Sequence, residues 1–150
     1  MQSIQIRPID ILQSQAWQNL LKTSHEEGYD FVQKLYDEYD ARTNRFDAQG
    51  AILLGAYLDD ELIAVGGVHP DPYLQTKNIG RIRHVYVLPS YRRKGLGRNL
   101  VLALIDHSRS HFETLTLRTL TKHGDGFYKS LGFSDETRFD NATHWLKLSE

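Results

Sequence analysis

A chain of 150 residues with 40% hydrophobic and 25% charged side chains and a formal net charge of -1 has the composition of a folded soluble protein, which excludes an intrinsically disordered one. It contains no cysteine, so disulfides, a thiolate nucleophile and a thiolate metal site are excluded as well. The amino terminus lacks an apolar signal-peptide core and no apolar run approaches the roughly 18 residues of a membrane span, so the chain reads as one domain over residues 1–150 with a cytoplasmic default.

The first predicted element is a strand from Ser3 to Ile9, with Ile4 and Ile6 on one face, closed by Pro8. A helix from Asp10 to Thr23 follows, with Ile11, Trp17, Leu20 and Leu21 on its apolar side, and Gly28 breaks it from a second helix over Asp30 to Arg42. Asn44 to Gly50 reads as a polar connection. Ala51–Leu58 and Glu61–Val68 are apolar runs joined by Asp59-Asp60, the pattern of an antiparallel hairpin. Tyr73 to Asn78 is a loop and Arg81 to Val87 a strand. A helix from Gly95 to about Arg109 precedes a strand over Thr114–Thr119, a short helix around Gly126–Leu131, a strand from Gly132 into the Asp135-Glu136 turn, and a last strand near Thr143–Leu148. This order predicts one mixed sheet with helices on both faces, and the long helix must join two parallel neighbours by a right-handed crossover.

The segment from Arg81 to Ile105 carries the chemistry. After the strand and Leu88-Pro89-Ser90-Tyr91 come Arg92-Arg93-Lys94-Gly95-Leu96-Gly97-Arg98 at a helix start. Two glycines one residue apart let several N–H groups converge there, and the first helical turn adds partial positive charge. No acidic residue lies between Asp71 and Asp106, so the spot favours a phosphate or pyrophosphate. The run lacks Gly-Lys-Ser/Thr and the three-glycine dinucleotide spacing, which excludes both of those phosphate loops.

What remains, Arg92-x-x-Gly95-x-Gly97, resembles the Q/R-x-x-G-x-G/A acetyl-CoA motif of the GNAT superfamily of acyl-CoA N-acyltransferases. Phe127-Tyr128-Lys129-Ser130-Leu131-Gly132-Phe133 resembles that family's F-Y-x-x-x-G-F segment. The resemblance implies an α/β fold with a mixed, mostly antiparallel sheet, in which one parallel pair splays to admit pantetheine. It also implies acetyl-CoA as co-substrate and direct acetyl transfer to a primary amine on a small molecule or peptide. Residues Arg92, Arg93, Lys94, Gly95, Leu96, Gly97 and Arg98 would bind the pyrophosphate, largely through main-chain N–H groups. Val85, Tyr86 and Val87 would present their main chain to pantetheine and thioester, and Tyr128 would contact coenzyme A and protonate its departing sulfur. Nucleic-acid and membrane partners are not implied, and the resemblance suits a monomer or a homodimer.

The chain departs from the family at several places. Where some members carry a glutamate base this sequence has Arg81, leaving His84, His123 or a water-mediated route as the base. Arg81 and Arg83 either bind an anionic group of the acceptor or are solvated, and strand alternation separates them from His84 unless a bulge intervenes. Thr121 and Gly124 stand where the family often has asparagine and alanine, so the Thr121 hydroxyl serves the pantetheine or the backbone. His107 and His111 stand four apart on a helix without a third ligand, so no metal site is expected. The acidic stretch Glu26–Asp47 reads as solvated helix surface, and as a border of the acceptor cleft it would suit a cationic amine. Two other functions fit the same residues: an acyl-CoA sensor without turnover, and a module gripping nucleic-acid phosphates with Tyr86 and Tyr91 stacking on bases.

Overall fold

The structure, a computed structural model, describes residues 3–9, 15–41 and 46–148. One six-stranded sheet runs in the order β1-β2-β3-β4-β5-β6. Its strands are β1 (Ile4–Pro8), β2 (Ile52–Leu58), β3 (Glu61–Pro70), β4 (Ile79–Val87), β5 (Thr114–Leu117) and β6 (His144–Lys147). The helices are α1 (Gln15–Glu26), α2 (Phe31–Asp40), α3 (Leu96–Ser108) and α4 (Lys122–Ser130). Every neighbouring pair is antiparallel except β4 and β5, which the α3 crossover makes parallel.

Apolar spacing explains the helices. Trp17 and Leu20 on α1, Val32 and Leu35 on α2, and Leu96, Leu100, Val101, Leu104 and Ile105 on α3 are all buried, each set lying on one stripe. Strand β3 is buried from Leu62 to His69 because the sheet is covered on both sides. Its two adjacent glycines show both covers: a side chain at Gly66 would meet Leu100 and Leu104 of α3, and one at Gly67 would meet Phe46 at 2.5 Å.

The predicted elements hold in order, with shifted bounds. Helix α1 continues three residues past Thr23, while Asp10–Ser14, and Arg42 at the end of the predicted second helix, lie outside the described residues. The connection before β2 is not purely polar, since Phe46 is buried against the His69 and His84 rings. Residues after Gly132 form no strand ladder: a single Ser134–Trp145 bridge stands there, with Gly132 itself at φ +99°.

Strands β4 and β5 pair only over Ile79–Thr114, Gly80–Leu115 and Arg81–Thr116. From Ile82 to Val87, β4 has no partner on that side. This parting leaves one edge of its main chain open, a condition that sheets normally avoid.

Candidate active site

Between Val87 and α3 the chain makes a 3-10 turn over Pro89–Tyr91, then an extended Arg92, a left-handed Arg93 at φ +63° and a left-handed Gly95 at φ +81° preceding the helix. Gly95 is required by its φ. These reversals lead into the first turn of the helix, whose own N–H groups have no carbonyl one turn back to bond to. Among the described residues the Asn99 N–H reaches the Gly95 carbonyl at 3.0 Å, but the N–H groups from Arg93 through Arg98 have no hydrogen-bond partner. Six such donors at a helix start, beside the exposed Arg93, Lys94 and Arg98, make an anion cradle. Leu96 contributes its N–H while its side chain anchors the turn in the core.

Arg92 does something else. Its N–H is held by the Pro89 carbonyl, and its guanidinium donates from Nε to the Val87 carbonyl at 2.9 Å and from Nη1 and Nη2 to Glu27 at 2.8 and 2.6 Å. The Tyr86 hydroxyl donates to the same Glu27 carboxylate. The Arg92 hydrogen bond holds Glu27 below the usual carboxylate range, while burial and the Glu27 bond push the Tyr86 phenol up. The positive charge expected of Arg92 in the cradle is therefore cancelled by an acid 65 residues away, and the cations left to the loop are Arg93, Lys94 and Arg98.

The cradle abuts the parting of the sheet. The Leu88 N–H bonds to the Ile63 carbonyl and Tyr86 pairs with Val65, so alternation aims the main chain of Val87 away from β3. With its carbonyl taken by Arg92, Val87 keeps a free N–H at the open edge. A side chain at Gly97 would lie 3.6 Å from Val87 and 3.8 Å from Phe127, so the start of α3, the end of β4 and α4 meet at one mouth.

Next to Phe127, Tyr128 is buried among the Phe127, Phe133 and His144 rings at 4.9, 5.6 and 6.4 Å. Burial pushes its phenol up to about 12, and its hydroxyl has no hydrogen-bond partner among the described residues. A protonated donor without a partner is one that a ligand can use.

A pattern of helix, open strand edge and amide cradle has counterparts elsewhere. A family model described as "Acetyltransferase (GNAT) family" matches residues 14–133. The chain belongs to the GNAT acetyltransferase family. An inferred acetyltransferase from Exiguobacterium sp. 255-15 superposes with TM-score 0.83 at 27% identity, over 97% of this chain and 93% of the other. A GNAT-family acetyltransferase from Staphylococcus aureus Mu50 superposes with TM-score 0.72 at 15% identity, covering 98% and 100%. The PaiA N-acetyltransferase of Thermoplasma acidophilum, solved in complex with coenzyme A, does so with TM-score 0.72 at 20% identity, covering 97% and 99%. At those identities the last two speak for the fold. No curated protein sequence matches the chain.

On the other face of this GNAT sheet, β4 is irregular. Its register against β3 slips between Val65 and Gly67, and His84, at φ +62°, is the bulged residue. The slip brings Arg83 and His84 to the α2 side together: Arg83 reaches Glu38 and His69 at 3.4 Å, and His84 Nδ1 lies 2.9 Å from the Phe31 carbonyl. That carbonyl can only accept, so Nδ1 carries the proton and Nε2 keeps a lone pair, buried and without a partner. Burial, then the Arg83 charge, lowers His84 to about 3 and His69 to about 4.

Arg81 is buried as well. It bonds to the Asn141 carbonyl at 2.8 Å and lies 3.6 Å from Asp71, whose carboxylate also accepts from Thr116 at 2.5 Å and from the Tyr73 N–H at 2.9 Å. It is a buried, paired arginine where the sequence left a solvated or anion-binding one open.

The remaining candidates are dispersed. The Thr121 hydroxyl caps α4 by accepting from the Gly124 N–H at 2.9 Å, so of its two sequence options it serves the backbone. His123 is exposed on the first turn of α4. His107 bonds to the Gly50 carbonyl at 3.1 Å and stacks on His111. A cavity of about 330 Å³ lined by Pro8, Ile9, Tyr39, Phe46 and Leu53, and one of about 130 Å³ beside Tyr91, Lys94 and Asn99, lie outside the β4–β5 gap. Sequence reasoning missed Glu27, Phe46, Asp71 and His144. Each is placed by at least one partner far along the chain: Arg92 for Glu27, His69 for Phe46, Thr116 for Asp71 and Asp125 for His144.

Proposed function

We propose that the protein is an acyl-CoA-dependent N-acyltransferase that moves an acetyl group from acetyl-CoA to a primary amine by direct attack. The observation that carries this reading is the run of partnerless N–H groups from Arg93 through Arg98, set where β4 parts from β5. Six amides and three exposed cations fit a diphosphate, and the open edge of β4 fits an amide-bearing arm, which is the chemistry of coenzyme A.

Acetyl-CoA supplies an activated thioester as co-substrate; the chain supplies orientation and charge. Arg93, Lys94, Gly95, Leu96, Gly97 and Arg98 hold the diphosphate by main chain. Val85 and Val87 line the arm with their main chain, whereas Tyr86, expected there too, has its main chain paired with Val65 and its hydroxyl on Glu27. The free Val87 N–H is the donor to the carbonyl oxygen that gains charge as the amine adds, a role worth about 3 kcal/mol of barrier. Tyr128 gives its proton to the departing sulfur, being protonated throughout the neutral range. The acceptor approaches from the α1–α2 side, where Arg83 and His84 stand. His84 is neutral, with its bare Nε2 buried in the protein, so the proton that the attacking amine loses on becoming an amide leaves through water, and solvent restores the proton that Tyr128 gave to sulfur.

The test is coenzyme A thiol release from acetyl-CoA against a panel of primary amines, with single-stranded nucleic acid as a competing ligand. Release with at least one amine is expected; binding of nucleic acid without binding of acetyl-CoA would overturn the reading.

A further inference from the structure

The cluster of Glu27, Tyr86 and Arg92 is not needed to explain any step above, yet it gathers three donors on one partly exposed carboxylate. Glu27 follows the last turn of α1, its N–H still bonded to the Thr23 carbonyl, and precedes the chain reversal at Gly28, φ +85°. It stands on the acceptor side. Tyr29, beyond the reversal, and Phe31, at the start of α2, pack with the Tyr86 ring at 6.2 and 5.9 Å. Its carboxylate takes three donors: the Tyr86 hydroxyl and both terminal nitrogens of Arg92. Arg92 in turn holds the Val87 carbonyl and begins the amide cradle.

We infer that Glu27 is a positioning residue: through Arg92 and Tyr86 it fixes the end of β4 and the start of the diphosphate loop, and so ties the α1–α2 acceptor wall to the coenzyme A site. The physical grounds are three. A two-pronged guanidinium–carboxylate pair fixes direction as well as distance, and here the third guanidinium nitrogen is committed to a main-chain carbonyl. The residue so fixed lies next to Arg93, whose left-handed backbone at φ +63° starts the run of partnerless amides. The Val87 carbonyl, once bound, orients the peptide plane that it shares with Leu88 and holds β4 at the edge that faces the cleft.

Electrostatics alone would argue the reverse. An acid close to a diphosphate site repels the ligand and cancels one cation, so a Glu27 without a positioning role would weaken coenzyme A binding. The two accounts predict opposite signs, which makes the inference testable by binding alone.

The inference rests on the coenzyme A reading, and the experiment separates the two. Calorimetric titration of coenzyme A is carried out on the wild type and on Glu27→Ala, Glu27→Gln, Arg92→Gln and the Glu27→Gln/Arg92→Gln double variant, each shown folded by circular dichroism at the titration temperature. Positioning predicts that Glu27→Ala raises Kd about tenfold and that Arg92→Gln does at least as much. It also predicts that the double variant, whose two amides can bond to each other without charge, recovers affinity relative to Arg92→Gln alone. A role in stability only would leave Kd of the folded variants unchanged, and a purely repulsive Glu27 would make Glu27→Ala bind more tightly; either result overturns the inference. If the wild type itself fails to bind coenzyme A, the functional reading falls and this inference with it.

Discussion

The two faces of β4 are built on different principles. On the side of α3, from Val87 through Arg98, the site is main chain: open amides, exposed cations and a glycine in a left-handed conformation. On the α1–α2 side, at Arg83, His84 and Tyr86, it is side chains, buried or half-buried and each already engaged by a residue far along the chain. The comparison teaches where variation is tolerated. A cradle of amides accepts any side chain that permits the backbone path, so under the proposed function it would serve the unvarying diphosphate, while the face of packed side chains changes with every substitution and would set acceptor choice.

The strongest way to break this comparison is at Tyr128, the proton donor of the proposed reaction. Tyr128→Phe keeps the rings packed against Phe127, Phe133 and His144 and removes only the hydroxyl, so turnover of acetyl-CoA should fall about 100-fold with little change in melting temperature. A rate within threefold of wild type would reduce Tyr128 to a core aromatic.

On the main-chain side, replacing Arg93, Lys94 and Arg98 together by alanine leaves the amides in place. The KM for acetyl-CoA should rise about tenfold at low salt, and the difference should shrink as ionic strength increases, because exposed charges are screened. A salt-independent defect would mean that the side chains hold the loop's shape.

The side-chain face is exposed to pH. His69 and His84 have folded values lowered to about 4 and about 3 from an ordinary 6.5, chiefly by burial. A lowered value means that the unfolded chain takes up protons which the folded chain refuses. The stability they confer is whole above about pH 6.5 and is lost as pH falls toward 4. Urea midpoints measured across that window should decline, and His69→Gln combined with His84→Asn should flatten the slope; an unchanged slope would place the acid sensitivity in other groups.

The smallest effect is expected at Thr121. Thr121→Ala removes the cap of α4 and should cost about 1 kcal/mol of stability while leaving coenzyme A affinity unchanged. Weakened affinity would return Thr121 to the ligand contacts.

Much of this was legible beforehand, but unevenly. The cradle could be read because Gly95, Gly97 and the helix start are adjacent in sequence, and their effect on amide direction is local. The hairpin of β2 and β3 was likewise announced by Asp59-Asp60, with Asp59 at φ +55°. The bulge at His84 was foreseen only as a condition and could not be decided: it depends on the slip of β4 against β3, two strands with a loop of their own between them. Nor was the fate of Arg92 legible, since its charge counts toward the cradle until Glu27 is brought beside it. Phe46 was hidden for a similar reason, its burial depending on the gap that Gly67 leaves in β3.

Sequence alone determined the order of elements, the parallel β4–β5 pair and the amide-rich turn, because periodicity, glycine and crossover handedness act over a few residues or leave a single topology. The tertiary structure alone decided which cations stay free, which histidine keeps a bare nitrogen and which acid steadies the loop. Those outcomes depend on burial and on pairings across as many as 65 residues of chain, which no local pattern encodes.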